Sequence, residues 1–258
     1  MQEAIEEGIR MFVVCGGDGT TASVARAITG TNATLGIIPT GTHNNVALSL
    51  GIPKDIHAAI ALLRTGRRIK VDVGIATCDG VSTPFVELCS VGLFSTLYSS
   101  ADDIQHGKLN RIGEFISNLT STPKSKISLL LDNKKVVKES GHVVMVSNMP
   151  FVGRNYRVGN PESYRDGYLD VMFFSELSKL DLLGYILKGP GTDALSDSRI
   201  KHYRVREIEI NTNPVMPVMA DEMTLGQGMV RIEVKRKALS IMANNAVPEE
   251  EPGEDLEV

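Results

Sequence analysis

Two short apolar runs that each stop in glycine constrain the fold of this chain more than any other feature. Met11 to Thr20 reads MFVVCGGDGT and passes into TASVARAIT, which is a strand, a Gly-rich turn and a helix. Leu35 to Pro39 (LGIIP) runs through Thr40-Gly41-Thr42-His43-Asn44-Asn45 into the short helical stretch VALSL, closed by Gly51 and Pro53. Strand followed by helix, twice, calls for a parallel sheet whose two turns lie at the same carboxyl edge, where α/β proteins bind ligands. Glycine lets the backbone approach an anion, and the helix behind it offers unpaired N–H groups and a positive dipole end. Phosphate suits such a pair of turns. The first turn has neither the Gly-Lys-Ser/Thr ending of a Walker A loop nor the spacing of a dinucleotide fingerprint, and alone it also reads as an ordinary Asp18-Gly19 turn.

The hydrophobic period changes once along the chain. QEAIEEGIR reads as a helix ending at Gly8, and from the N-cap residue Asp55 the residues Ile56, Ala59, Ile60 and Leu63 recur at helical spacing up to Gly66. Beyond that Ile69, Val71, Val73 and Ile75 alternate, Asp79-Gly80 signals a hairpin, and KISLLLD, VREIEIN and MVRIEVK repeat the strand pattern. Two helices are expected within this region, one carrying Leu109, Ile112, Phe115, Ile116 and Leu119, the other opened by Ser178 and Asp181. The expected fold is an α/β nucleotide-binding domain with a parallel sheet (1–68), then a β-rich, sandwich-like domain (69–242) whose last strand returns to the first. An acidic tail (243–258) follows.

Charge supports that division. The formal net charge is −4, yet Glu249, Glu250, Glu251, Glu254, Asp255 and Glu257 sit in a tail without Lys or Arg. Without them the body carries 27 basic against 25 acidic residues, and the tail is expected to be solvated and disordered. Three cysteines without Cys-x-x-Cys spacing support neither a disulfide framework nor a zinc site, and fit a reducing cytosol. No apolar stretch approaches the eighteen or so residues of a membrane span, so membrane contact is expected to be peripheral. Arg64, Arg67, Arg68 and Lys70, and Arg199, Lys201, His202, Arg204 and Arg206, form basic stretches that can attract an anionic membrane or phosphates; the plainer reading is a solvated face. No interleaved aromatic-basic pattern points to nucleic acid.

The pair GGDGT and PTGTHNN, followed by GIP, resembles the catalytic domain of the diacylglycerol kinase family, in particular bacterial lipid kinases. DIHAAIALLRTGRRIKVDVG, FVELCSVGL, VVMVSNMPFVG and RDGYLDV extend the likeness over most of residues 5 to 242. The resemblance implies ATP as phosphoryl donor, Mg2+, a diacylglycerol-like lipid acceptor met at the inner membrane face, and phospholipid metabolism. A second copy of the chain is a candidate partner. It also implies a further strand, helix and strand ahead of this sequence, so a truncated nucleotide domain is expected. NAD kinases and sphingosine kinases belong to the same superfamily.

By the same resemblance Gly16, Gly17, Asp18, Gly19 and Thr20, with Gly41, Thr42 and Asn44 opposite, hold the nucleotide. His43 occupies a variable position and is read as a solvent-facing loop residue. The base is expected in MPVMADEMTLGQG, where the family usually has Asp-Gly-Glu: Asp221 in the register favoured by the flanking text, Glu222 as the alternative. SYRDGYLD resembles a structural magnesium loop, with Asp166 as side-chain ligand and the carbonyls of Ser163 and Tyr168; read from its residues alone it is an Asp-Gly turn. Three departures remove carboxylates from where magnesium and ATP meet: Ala22-Ser23 in place of Asn-Glu, Asn45 in place of Asp, and the altered Asp-Gly-Glu. They keep open a catalytically impaired regulatory module, and a kinase of a soluble alcohol is the third reading.

Overall fold

The computed structural model describes residues 1–93, 124–152, 156–175, 177–182 and 197–244. The expected helix at Leu109–Leu119 and residues 245–258 of the acidic tail lie outside the described residues. The first part of the chain folds as α1 (Gln2–Glu6), β1 (Met11–Gly16), α2 (Asp18–Ile28), β2 (Thr34–Pro39), α3 (Asn45–Ser49) and α4 (Ile56–Thr65). Asp55 caps α4 by accepting the N–H of Ala58 at 2.8 Å, and Gly66 ends it. The strands that follow are β3 (Arg67–Cys78), β4 (Val81–Phe85), β5 (Leu88–Gly92), β6 (Ser125–Leu131), β7 (Lys135–Gly141), β8 (Val143–Ser147), β9 (Phe151–Val152) and β10 (Tyr156–Arg157). Then come β11 (Leu169–Phe174), β12 (Lys201–Val205), β13 (Glu207–Asn213), β14 (Pro217–Ala220), β15 (Met223–Gln227) and β16 (Val230–Ala243). Ser178 caps the turn at residues 179–182 reciprocally with Asp181: its hydroxyl accepts the Asp181 N–H, and its own N–H reaches the Asp181 carboxylate at 2.8 Å.

β1 and β2 pair in parallel, from Met11 beside Thr34 to Gly16 beside Pro39, so both Gly-rich turns leave the sheet at one edge. The sheet is larger than two strands because the chain comes back to it. β16 joins β2 in parallel at Ser240 and Ile241, while its first half pairs with β13 at Val230–Glu233. Between these halves lies a bulge at Lys235–Leu239, where Lys237 has φ 52° and donates its N–H to the buried carboxylate of Asp72 at 2.6 Å. One strand thus serves both domains, and β3 runs beside it across the boundary expected at residue 68. The resulting eight-stranded sheet has the order β1-β2-β16-β13-β6-β7, with β3 on β16 and β4 on β3.

A six-stranded antiparallel sheet, β12-β11-β8-β5-β14-β15, packs against the far half of this one. Ile127, Leu129, Ile208, Ile210 and Ile232 from one sheet meet Val91, Val144, Val146, Val171, Phe173 and Val218 from the other, all at most 1% exposed. This is a β-sandwich core, built on the alternation visible in the sequence. A separate core under the parallel strands gathers Ile28, Leu35, Ile37, Val46, Leu50, Leu62 and Ile241. Burial therefore clamps α2, α3 and α4 onto the sheet that carries the turns.

Candidate active site

The two Gly-rich turns press against each other. A Cβ on Gly17 would come within 3.1 Å of the Gly41 backbone, a tight approach, and one on Gly41 would collide with the Gly17 backbone, so Gly41 does not tolerate a side chain. Asn44 closes the second turn on itself: its Oδ1 accepts the Gly41 N–H at 2.9 Å and its Nδ2 donates to the Gly41 carbonyl at 2.7 Å. Its backbone, at φ 55°, is left-handed, which asparagine adopts more readily than most residues. The amide expected to reach toward phosphate is thus spent within the turn.

Asp18 couples the turns. From the first turn of α2 its two carboxylate oxygens accept the N–H groups of Asn45 and Val46, both at 3.0 Å, and so cap α3 from a neighbouring helix. Asp18 orients; it fills the N-terminus of α3 and leaves that of α2 to a ligand. The first N–H groups of α2 have no carbonyl one turn back to receive them, and the helix dipole adds to their pull on an anion.

Against this helix end lies a cleft of about 530 Å³, lined by Gly17, Asp18, Gly19, Thr20, Ser23, Thr42, His43 and Glu222. Its size suits a small cofactor. Gly16, Gly41 and Asn44 stand behind this lining and shape it. His43, read from the sequence as a solvent-facing loop residue, is half-buried and lines the cleft. Ser23 also lines the cleft, at the position where the resembling family carries a carboxylate.

Asp221 and Glu222 are the two central residues of the β14–β15 hairpin, with φ 41° and 67°, and the strands close with Ala220 beside Met223. Their side chains part company. The Asp221 carboxylate accepts the N–H groups of Val86 (2.6 Å), Glu87 (2.9 Å) and Leu88 (3.0 Å), while its own N–H donates to the Leu88 carbonyl. Burial pushes its pKa up, against the opposing pull of those three N–H groups. A carboxylate engaged in this way fixes a loop, and Asp221, expected as the base, is not among the residues that line the cleft. Glu222 is exposed and lies directly over Gly19, where any Cβ would overlap its carboxylate. Met223, which holds the place of the family's glutamate, is 37% exposed and is not among the residues lining the cleft.

The loop gripped by Asp221 also ties the domains together. Glu87 Oε1 accepts from the Asn45 side chain at 2.9 Å, and its carbonyl accepts the Asn148 N–H at 3.0 Å. Asn148 in turn bonds the carbonyls of Asp72 and Val86, each at 2.9 Å. A closed chain of contacts therefore runs from Gly19 and Glu222 through Asp221, Glu87 and Asn45 to Asp18, and back to Gly19.

The cleft fits nucleotide phosphates: two glycine-rich turns, a helix whose N-cap residue Gly17 has no side chain to cap it, and hydroxyls on Thr20 and Thr42. Magnesium carried with a nucleotide keeps water and phosphate oxygens; Asp18, whose oxygens hold the Asn45 and Val46 N–H groups, would meet it through water, and Glu222 is the other carboxylate of the cleft lining. The loop of Ser163, Asp166 and Tyr168 does not fit a metal. Its expected side-chain ligand, Asp166, accepts the Tyr168 N–H at 2.8 Å on one oxygen and the Arg204 guanidinium on the other. Among the described residues no group of three or more His, Cys, Asp or Glu side chains is placed to hold a metal ion. The second basic stretch is paired as well: Arg199 with Asp181 and Asp197, Lys201 with Glu139, and Arg204 with Asp166. Arg206, in contrast, donates to the Tyr168 hydroxyl.

An α/β unit with two apposed glycine turns, completed by a β-sandwich that brings a carboxylate to the same cleft, defines the fold class shared by diacylglycerol kinases and NAD kinases. Residues 1–76 match the diacylglycerol kinase catalytic domain, and residues 92–243 match the YegS C-terminal NAD kinase beta sandwich-like domain. The chain belongs to the diacylglycerol kinase family of lipid kinases. A diacylglycerol kinase of Mycobacterium tuberculosis is 26% identical over 217 residues, which are 81% of this chain and 70% of that protein. An uncharacterized protein of Synechocystis is 26% identical over 245 residues, 92% of this chain; the chain spans 55% of that relative's length. A solved diacylglycerol kinase from Bacillus anthracis superposes with a TM-score of 0.70 at 24% identity, over 95% of this chain and 81% of that one. Yeast NADH kinase complexed with NADH gives 0.53 at 10% identity, over 92% and 62%. Both structural likenesses concern the fold.

Proposed function

We propose that this chain is an ATP-dependent kinase that transfers the γ-phosphoryl group to the hydroxyl of a lipid, with a diacylglycerol-like acceptor as the leading substrate. The observation that carries the reading is the Glu222 carboxylate, brought by the sandwich hairpin to the α2 N-terminus at the wall of the cleft. The α2 N-terminus and the paired glycine turns receive the phosphates through backbone N–H groups. Magnesium bound with ATP would offset phosphate charge, held at Asp18 through water. Glu222 takes the proton of the acceptor hydroxyl as its oxygen attacks the γ-phosphorus. The bond to the β-phosphate oxygen breaks, ADP leaves, and the proton passes from Glu222 to solvent. His43 faces the same space.

A lipid acceptor implies encounter at a membrane surface. Among the described residues no helix is long and apolar enough to cross a membrane, so the chain is proposed to work on the bilayer from one side. Incubation with γ-labelled ATP and a mixed lipid extract tests the function. Label in a lipid-extractable product supports it. Nucleotide binding without labelled lipid favours the regulatory reading, and label in a water-soluble alcohol favours the third.

A further inference from the structure

The loop of Asp166-Gly167-Tyr168 is organised around positive charge, and that charge comes from the chain itself. The Asp166 carboxylate divides between the Tyr168 N–H and the guanidinium of Arg204, which reaches it from the adjacent strand β12. The same guanidinium lies 4.6 Å from the centre of the Tyr168 ring. Arg206 lies 5.0 Å from that ring and donates to the Tyr168 hydroxyl at 3.2 Å. Arg236, on the bulge of β16, runs beneath Gly167, where a Cβ would come within 2.8 Å of its Nε. Below the loop the buried Asp72 accepts the Gly167 N–H at 2.7 Å and the Lys237 N–H at 2.6 Å, joining β3, the loop and β16.

We infer that Arg204 is the built-in cation of this loop, holding by a charge-assisted hydrogen bond and ring stacking what a divalent ion would otherwise hold by coordination. Three features support this. Arg204 meets the carboxylate and the ring of one turn together, a geometry suited to a planar guanidinium. Asp166 is the one carboxylate at the tip of the loop, and its partnership with Arg204 leaves it only 18% exposed. A divalent ion on Asp166 would also stand beside Arg204, with Arg206 and Arg236 close by, and like charges oppose such crowding. The loop therefore keeps its shape without metal, and any magnesium requirement of the chain belongs to the nucleotide.

Thermal unfolding of the nucleotide-free wild-type chain, with millimolar Mg2+ or with EDTA, tests this without reference to turnover. The expected result is the same Tm in both, with Arg204→Gln lowering Tm by about 2–4 °C and leaving ADP binding intact. A wild-type Tm that falls on chelation, with the response abolished by Asp166→Asn, overturns the inference; so does an Arg204→Gln chain as stable as wild type. Should Arg204→Gln fail to fold, Arg204→Lys decides: loss of stability is expected because an ammonium cannot both stack and pair, and wild-type stability would contradict the assignment.

Discussion

Glu222, on a hairpin of the sandwich, holds its carboxylate directly over Gly19 in the first turn of α2. Two domains thereby contribute to one cleft, one with N–H groups for an anion and the other with a negative charge at the same point. The carboxylate lies against the positive end of the helix. It reaches that point only because its backbone adopts φ 67°, a conformation that glycine takes freely and glutamate does not. The site thus accepts local strain in exchange for a positioned carboxylate.

Replacing Glu222 by Gly separates strain from function. Relief of the left-handed backbone is expected to raise stability by up to about 1 kcal/mol, read from urea unfolding, while phosphoryl transfer falls by at least about 100-fold. A variant that is both more stable and fully active would remove Glu222 from the chemistry.

The two glycines that face each other and the one that faces Glu222 should respond differently to alanine. Gly41→Ala drives a Cβ into the Gly17 backbone, which cannot give, so nucleotide binding is expected to be lost, as titration with a fluorescent ATP analogue would show. Gly19→Ala meets only the end of the Glu222 side chain, which can swing aside. Its expected effect is a turnover loss with nucleotide affinity changed by less than about 10-fold.

Asp18→Ala removes the acceptor for the Asn45 and Val46 N–H groups and with it the tie between the turns. Loss of such a cap costs about 1 kcal/mol, and ADP affinity should fall as the turns separate. Calorimetric titration checks the second effect, and unchanged affinity would contradict the coupling role.

Asp170 gives the chain a pH dependence of definite sign. Burial raises its pKa above the ordinary 3.8, with the Ser163 hydroxyl and Arg204 opposing. The folded state therefore holds this proton more tightly than the unfolded chain does. The stabilisation is complete below about pH 4 and is lost as pH rises through the folded pKa. The stability of wild type relative to Asp170→Asn, from urea unfolding across pH 3 to 7, is expected to fall with rising pH and then level off. A relative stability that climbs with pH would reverse the assignment.

Much of this was legible before the fold. The switch of period after Gly66 marked the passage from helices to strands, Asp55 and Ser178 announced their caps, and GGDGT with PTGTHNN marked the two glycine turns that meet at one sheet edge. The base was ambiguous because the text around Asp221 and Glu222 supports two registers. Only the hairpin shows that a residue's position in a motif and the direction of its side chain can differ: Asp221 points into the 86–88 loop and Glu222 into the cleft. Asn45 read as a lost carboxylate, yet in space its amide meets the carboxylate of Glu87, 42 residues on. Asp166 read as a metal ligand because Arg204, 38 residues away, was not visible as its partner. Each of these contacts joins segments far apart in sequence, which local patterns do not encode.

The most direct test of the account compares Glu222→Gln with Asp221→Asn for transfer of labelled phosphate from ATP to diacylglycerol in mixed micelles, alongside the Tm of each. Glu222→Gln is predicted to keep wild-type Tm and nucleotide binding while losing at least about 100-fold in kcat. Asp221→Asn, which places an amide against three N–H donors, is predicted to lose about 1–3 kcal/mol of stability and to retain far more turnover per folded molecule. Wild-type turnover in Glu222→Gln, or a kcat loss confined to a fully stable Asp221→Asn, would contradict it.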